Sequence, residues 1–504
     1  MERFDGSGLA GAGWTPPHES RVTLADLFPE AQGLPGASTP VRGLASDSRK
    51  LAAGAVFVAV PGTRTDGMSF LPQALAAGAA AVVGEAEAPA DLPIPYVRVA
   101  DVRRALALGA ARLHPRQPER VVAITGTSGK SSVADFARQL FAALGRSAAS
   151  LGTLGVITSR GAAYGALTTP DPISLHETLD RLARDGVTRL AMEASSHGID
   201  QRRLDGVRLA AAGFTNLGRD HLDYHGTTEA YVAAKLRLFE TLLEEGAPAV
   251  VNADGAYADV FLEAARRRGL RLLTAGRAGE ALRLVRAGTA GFSQRLTVEA
   301  FGRTLAVELP LPGAFQAENA LVAAGLVLAV EGEERAEEVL RAFPRLEGVP
   351  GRLERVGEVD GALCVVDYAH KPEALAHVLE ALRPFASGRL FCVFGCGGDR
   401  DRGKRPLMGR IAVEKADVVI VTDDNPRSED PASIRAEILA GAPGAREIGD
   451  RALAIRTAVG ELERGDVLVV AGKGHETGQI VGDRTLPFSD QDEVRAAIAR
   501  RQTP

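Results

Sequence analysis

The chain has 504 residues, of which 45% are hydrophobic and 24% charged, the composition of an ordinary globular protein. At roughly 100–200 residues per domain it is long enough for about three, each with its own core. Its 59 basic and 64 acidic side chains are mixed along the length to a net charge of −5, so no basic stripe serves nucleic acid, which is excluded as a principal partner.

The first residues carry Glu2, Asp5 and a Gly/Pro-rich stretch to Pro17, without the charged-then-apolar pattern of a secretory signal. Apolar runs such as Leu75 to Val83 are too short to cross a bilayer. Cys364, Cys392 and Cys396 are too few for a disulfide framework and read as buried structural thiols in a reducing compartment. The expected location is the cytoplasm.

Strand-like apolar runs alternate with amphipathic helical stretches, which predicts an α/β fold with mainly parallel sheets. Two Pro-rich breaks, at His114–Pro118 and Pro344–Gly351, divide the chain near 117 and 348. The expected domains are 1–117, 118–347 and 348–504.

Polar clusters follow the apolar runs in a regular way. Val121–Thr125 is followed by Gly126-Thr127-Ser128-Gly129-Lys130-Ser131, and Arg189–Met192 by Glu193-Ala194-Ser195-Ser196-His197. Leu363–Val366 leads to Asp367-Tyr368-Ala369-His370, and Leu390–Phe394 to Gly395-Cys396-Gly397-Gly398-Asp399-Arg400. Val418–Thr422 precedes Asp423-Asp424-Asn425-Pro426-Arg427, and Val467–Val470 precedes Ala471-Gly472-Lys473-Gly474-His475-Glu476. Ligands of open parallel sheets bind beyond the carboxyl ends of the strands, where all six clusters would lie. Any one of them alone could be a solvated turn.

The first cluster has the chemistry of a phosphate loop. Backbone amides opening a helix near Ser132 can cradle phosphate oxygens, Lys130 adds a cation, and the Ser131 hydroxyl can reach Mg²⁺. The common nucleotide pattern has Gly where Ile124 stands, so a kinase or GTPase loop is not singled out. Glu193 could supply one carboxylate to Mg²⁺, which prefers few protein oxygens; read alone it is as well explained as a helix cap. His197 and the segment Asn216–His225 form a second polar concentration, without the His-Glu-x-x-His pattern of a zinc protease.

Together these clusters resemble the Mur ligase family, and within it the members that add a diamino acid to a muramoyl dipeptide. The resemblance runs from Asp47-Ser48-Arg49 to Glu476, nearly the whole chain, and the family's phosphate loop usually lacks the early glycine too. It implies three domains: a uridine-nucleotide-binding domain, a central P-loop-type parallel-sheet domain for ATP, and a C-terminal Rossmann-like domain that brings the amino acid and closes over the nucleotide. Ser46, Ser48 and Gly62-Thr63-Arg64 match the uridine contacts, and Thr168, Thr169, Ser195, Gln201 and Arg203 match contacts to the muramoyl peptide. Gly126 through Ser132, Asn319, Arg352 and Asp367 match the ATP contacts, with Asp367 orienting the ribose. Two Mg²⁺ ions are implied, one on Ser131 and Glu193, the second with His221 and with Lys235 as a carbamate. By composition alone Lys235 is a solvated helix lysine. Lys130, Glu193, His221 and Lys235 are then the catalytic set. Gln316 stands where the family usually has Asn, and Lys371 replaces Thr.

The implied reaction is ATP-dependent ligation through an acyl phosphate, with UDP-MurNAc-L-Ala-D-Glu and meso-diaminopimelate as partners, no membrane, and a monomer. Arg400, Asp424, Asn425, Pro426, Arg427, Gly472 and Glu476 match the diaminopimelate site. An extra carboxylate is what separates that amino acid from lysine, and a guanidinium suits it. The same ligation with L-lysine or L-ornithine, a folylpolyglutamate-synthase-like ligase, and a nucleotide switch without ligation are the alternatives.

Overall fold

Runs of Val, Ile, Leu and Ala bounded by Gly make strands buried on both faces, the signature of parallel sheets covered by helices. In the computed structural model the described residues are 22–502, except 63, 64, 164, 166 and 219. The calls on Thr63 and Arg64 lie outside them. The chain forms two compact units: one built on the residues up to Leu273 with Ala329–Glu331, the other on Thr274–Leu328 and the residues from Gly332 onward.

The first unit opens with a four-stranded parallel sheet, Gly43–Ala45, Ala55–Val58, Ala81–Gly84 and Tyr96–Arg98 in that order. Its core joins Phe28, Val56, Val83 and Leu106. A larger sheet follows, in which Pro248–Asn252, Leu209–Phe214, Arg120–Thr125, Arg189–Glu193 and Ala148–Gly152 lie side by side and parallel. Arg120–Thr125, first of these in the chain, lies between Leu209–Phe214 and Arg189–Glu193. The strand order therefore reverses at the phosphate loop, the place where open sheets leave a crevice.

The second unit holds a three-stranded antiparallel meander, Leu282–Ala290, Ser293–Ala300 and Arg303–Leu309. It also holds a six-stranded sheet in the order Glu354–Val359, Ala362–Asp367, Val467–Ala471, Leu390–Phe394, Val418–Val421 and Arg446–Glu447. Only its first strand is antiparallel to its neighbour. All six strands expected ahead of the polar clusters are present in these sheets. A small hairpin, Gly478–Val481 with Arg484–Pro487, stands apart. The helix Ala314–Glu331 is long and apolar enough to cross a membrane by length and composition, which the short runs weighed in the sequence did not reveal; most of it is buried as a core helix. All three cysteines are free and buried, and burial pushes each thiol up to about 12.

Candidate active site

The phosphate loop is shaped by glycine. Gly126 sits at φ 147°, where a Cβ would lie 2.0 Å from Thr215 Oγ1, so no other residue fits. Gly129, at φ 85°, turns the chain into the helix Lys130–Ala143, which starts two residues ahead of the expected Ser132. The loop is pinned by the end of the next strand. Thr127 N donates to Asn216 O (2.8 Å) and Ser128 N to Asn216 Oδ1 (3.1 Å). Thr215 Oγ1 donates to Ser128 O (2.6 Å), and Gly218 N to Thr127 Oγ1 (2.9 Å). Thr215 and Asn216 carry this support unassigned by the sequence reading; their place directly after a buried strand was the available signal. Lys130 Nζ donates to the carbonyls of Gly126 and Thr127, each at 2.9 Å.

Glu193 ends its strand 2% exposed. Ser131 Oγ and Thr153 N both donate to its Oε1 at 2.8 Å, and Thr153 Oγ1 reaches Oε2 at 3.3 Å. Gly152 faces it so closely that a Cβ would lie 2.1 Å from Oε1. A carboxylate and a hydroxyl brought together at the loop form the hard-oxygen donor set that suits Mg²⁺. Thr153 is a further contributor that the sequence reading did not single out.

Lys235 is not solvated. Its helix, Thr228–Arg237, turns Tyr231 and Lys235 inward together, as the i, i+4 spacing requires once Tyr231 is buried. The lysine is 1% exposed, its Nζ donates to Gly126 O at 2.8 Å, and it lies 4.6 Å from the Tyr231 ring centre. Burial, and then the neighbouring Lys130 ammonium, hold its pKa well below the ordinary lysine value. A neutral amine is the form that can add to carbon dioxide, so the site fits a carbamate chemically. His221 sits in the left-handed region at φ 53° with its side chain 46% exposed. Its ring packs 4.8 Å from that of His197, which is 5.5 Å from His225. Among the described residues no three His, Cys, Asp or Glu side chains converge as a metal cluster.

The residues matched to the muramoyl peptide form one network leading to Glu193. Thr169 Oγ1 donates to Glu193 O (3.0 Å) and accepts from Ser195 N (3.0 Å). Arg203 reaches Thr169 O (2.6 Å) and Gln201 Oε1 (2.8 Å), while Thr168 and Thr153 hydroxyls lie 3.0 Å apart. Ser46 and Gly62 follow neighbouring strands of the small sheet, and Ser48 begins the short helix after Asp47.

In the second unit, buried Asp367 accepts from the amides of Leu353 and Ala369, both at 2.7 Å, and burial raises its pKa. The Arg352 guanidinium lies 5.0 Å from the Tyr368 ring centre. Asn319 Nδ2 donates to Gln316 Oε1 at 3.1 Å, so the residue that departs from the family pattern orients the asparagine.

The four other strand-end clusters meet here. Arg427 occupies the left-handed region at φ 52°, strain of the kind concentrated at functional sites. Its Nη1 donates to Gly398 O (2.9 Å) and its backbone N to Ile480 O (3.0 Å). A Cβ on Gly397 would stand 2.7 Å from that Nη1, so glycine there makes room for the guanidinium. Asn425 is held at both ends of its amide: Oδ1 accepts from Ile480 N (2.9 Å) and Lys473 Nζ (3.0 Å), and Nδ2 donates to Glu476 Oε2 (2.9 Å). Asp424 is buried beside Gly472, burial raising its pKa, and Pro426 is buried too. Arg400 is exposed, and its Nη1 donates to Asp399 O at 3.3 Å.

Three family models match in succession: the "Mur ligase family, catalytic domain" over 40–116, the "Mur ligase middle domain" over 124–327, and the "Mur ligase, glutamate ligase domain" over 351–474. The chain belongs to the Mur ligase family. Like other Mur ligases it is an ATP-dependent, ADP-forming amide ligase, and it has the family's three-domain α/β fold. It is 57% identical over 469 residues to the UDP-N-acetylmuramoyl-L-alanyl-D-glutamate–2,6-diaminopimelate ligase of Bradyrhizobium diazoefficiens, covering 92% of this chain and 96% of that one. A solved structure of an enzyme of the same name superposes with a TM-score of 0.74 at 35% identity, covering 96% of this chain and all 100% of the other. The MurF ligase of Thermotoga maritima in complex with ADP shares the fold at a TM-score of 0.58 and 22% identity, with 92% and 98% of the two chains covered.

Proposed function

We propose that this Mur ligase adds meso-diaminopimelate to the D-Glu γ-carboxylate of UDP-MurNAc-L-Ala-D-Glu in peptidoglycan synthesis, in the cytoplasm and as a monomer, with domains divided near 117 and 348. The observation that carries the choice of amino acid is the single hydrogen-bonded pocket made by Asp424–Arg427 and Gly472–Glu476. Arg427 is aimed by carbonyls at the end of a buried strand, ready for a distal carboxylate, and half-exposed Glu476 suits the ammonium beside it. With lysine bound the guanidinium would lose its partner, at a cost of about 2–5 kcal/mol.

In the first unit Lys130 and the amides at the helix N-terminus hold the phosphates and neutralise charge that grows during transfer. Ser131 and Glu193, joined at 2.8 Å, would hold one Mg²⁺, and His221 with Lys235 as its carbamate would hold a second. Bound Mg²⁺ supplies Lewis-acid neutralisation of the transferring phosphoryl group. Thr169, Ser195, Gln201 and Arg203 hold the peptide so that the γ-carboxylate of its D-Glu attacks the γ-phosphate of ATP and releases ADP. The amine of the diamino acid then displaces phosphate from the acyl phosphate to give the amide. Asn319, Arg352 and Asp367 are assigned to the nucleotide, and Ser46, Ser48, Gly62, Thr63 and Arg64 to the uridine end.

The test supplies UDP-muramoyl dipeptide, ATP and Mg²⁺, and measures phosphate release with meso-diaminopimelate, L-lysine and L-ornithine side by side. Diaminopimelate should win by a wide margin; parity with lysine or ornithine sinks the specificity claim and spares the ligase. Arg427→Lys should lose most diaminopimelate-dependent turnover, because an ammonium cannot make the paired contact.

A further inference from the structure

A lysine that no motif assignment uses lies at the centre of the amino-acid pocket. Lys473 follows the strand Val467–Ala471, between Gly472 and Gly474, and its side chain is 0% exposed. Its Nζ donates to Asn425 Oδ1 at 3.0 Å and to Glu476 Oε2 at 3.2 Å, and stands 3.6 Å from Asp424 Oδ1. The same Glu476 Oε2 accepts from Asn425 Nδ2 at 2.9 Å. One ammonium therefore ties together three residues matched to the diamino acid, from two separate strand ends.

We propose that Lys473 is a positioning residue for the incoming diamino acid, acting through Glu476 and Asn425; this rests on the ligase reading given above. Three features support it. Buried lysine is costly and persists where its charge is paired. Lys473 and Asn425 hold one carboxylate oxygen of Glu476, while the Glu476 side chain remains 34% exposed and open to an ammonium. The loop geometry suits the role, since Glu476 N donates to Lys473 O at 3.0 Å, closing a turn that puts both side chains on one side.

The test is a Lys473→Met variant of the full enzyme, assayed for the KM of each substrate separately. The KM for meso-diaminopimelate should rise at least about tenfold, as when a partner that orients a ligand-binding group is removed. The KM values for ATP and for the UDP-muramoyl dipeptide should stay within about twofold, a split that general loss of structure would not give. Adding Lys473→Met to Glu476→Gln should cost less than the two changes separately, because the lysine acts through the glutamate. Lys473→Gln, which keeps one donor toward Asn425, should recover part of the loss and serves if the Met variant does not fold. Equal changes in all three KM values, an unchanged diaminopimelate KM, full additivity with Glu476→Gln, or unfolding of both lysine variants would each overturn the assignment. Wild-type enzyme that ignores diaminopimelate in the same assay would instead overturn the ligase reading.

Discussion

Glu193 and Lys235 are both buried charge-bearing groups, yet their surroundings prepare them for opposite chemistry. Glu193 accepts from Ser131 and Thr153, while Lys235 shares the carbonyl of Gly126 with a second amine, Lys130. Gly152→Ala should therefore displace the Glu193 carboxylate, because the added carbon would sit 2.1 Å from Oε1. Turnover should fall at least about tenfold, the usual scale for losing an orienting partner, with circular dichroism unchanged. Near wild-type activity in that variant would detach Glu193 from the reaction. Lys235→Ala should be almost inactive and regain part of its turnover with a short carboxylic acid such as acetate. A variant that remains active without acid would remove the carbamate from the mechanism. At this scale the sequence was legible where a motif named a residue type and illegible where burial decided its state. Lys235 read as solvated because a helix lysine usually is; its spacing to Tyr231 held the contrary signal. Lys473 lay inside a quoted motif and gained no role, since nothing in a sequence says which of two strand-end loops a side chain crosses to.

Helices and strands set these side chains by their ends. The helix Pro172–Arg184 is capped by Asp171, whose Oδ1 accepts from Ile173 N and Ser174 N at 3.1 Å each. It buries His176 completely, with Nε2 3.2 Å from Asp205 O. Burial lowers the folded pKa of this ring from 6.5 to about 4. Protonation then favours the unfolded chain. The stability its neutral form contributes is present in full above about pH 6.5 and is lost as pH falls toward about 4, on the order of 3 kcal/mol. Melting temperatures of wild type and His176→Gln should thus converge between pH 7.5 and pH 4.5, two points chosen about a unit above and half a unit above those limits. A constant difference would show that His176 does not titrate in that window. The alternation of strands and helices was readable because apolar runs ended in glycine. The small hairpin Gly478–Val481 with Arg484–Pro487 was not, since it is mostly exposed and holds its place by backbone bonds to Arg427 rather than by an apolar face.

Across the molecule, burial of paired charges locks the second unit's sheet together. Arg451 and Asp490 are both 0% exposed and joined by two bonds of 2.7 Å, and Arg451 also reaches Ala471 O (3.0 Å) and Asp423 O (3.3 Å). The pair ties two strand ends to the last helix. Asp490→Ala leaves a buried guanidinium unpaired and should lower stability by about 3–5 kcal/mol in urea unfolding. A loss below about 1 kcal/mol, the scale of a surface pair, would show that water reaches the site. The α/β class and the strand-end placement of function were visible from the order of runs; the buried ion pair was not, because its partners lie far apart in the chain. One more feature acts before any of these contacts exist. Ala314–Glu331 has an 18-residue window with mean hydropathy 1.3. As it leaves the ribosome it has the length of a bilayer crossing, and only tertiary burial distinguishes it from a membrane anchor. Because most of that helix is buried in the fold, any change that loosens its packing would uncover a continuous apolar surface, and the first symptom would be association with other apolar surfaces rather than loss of chemistry.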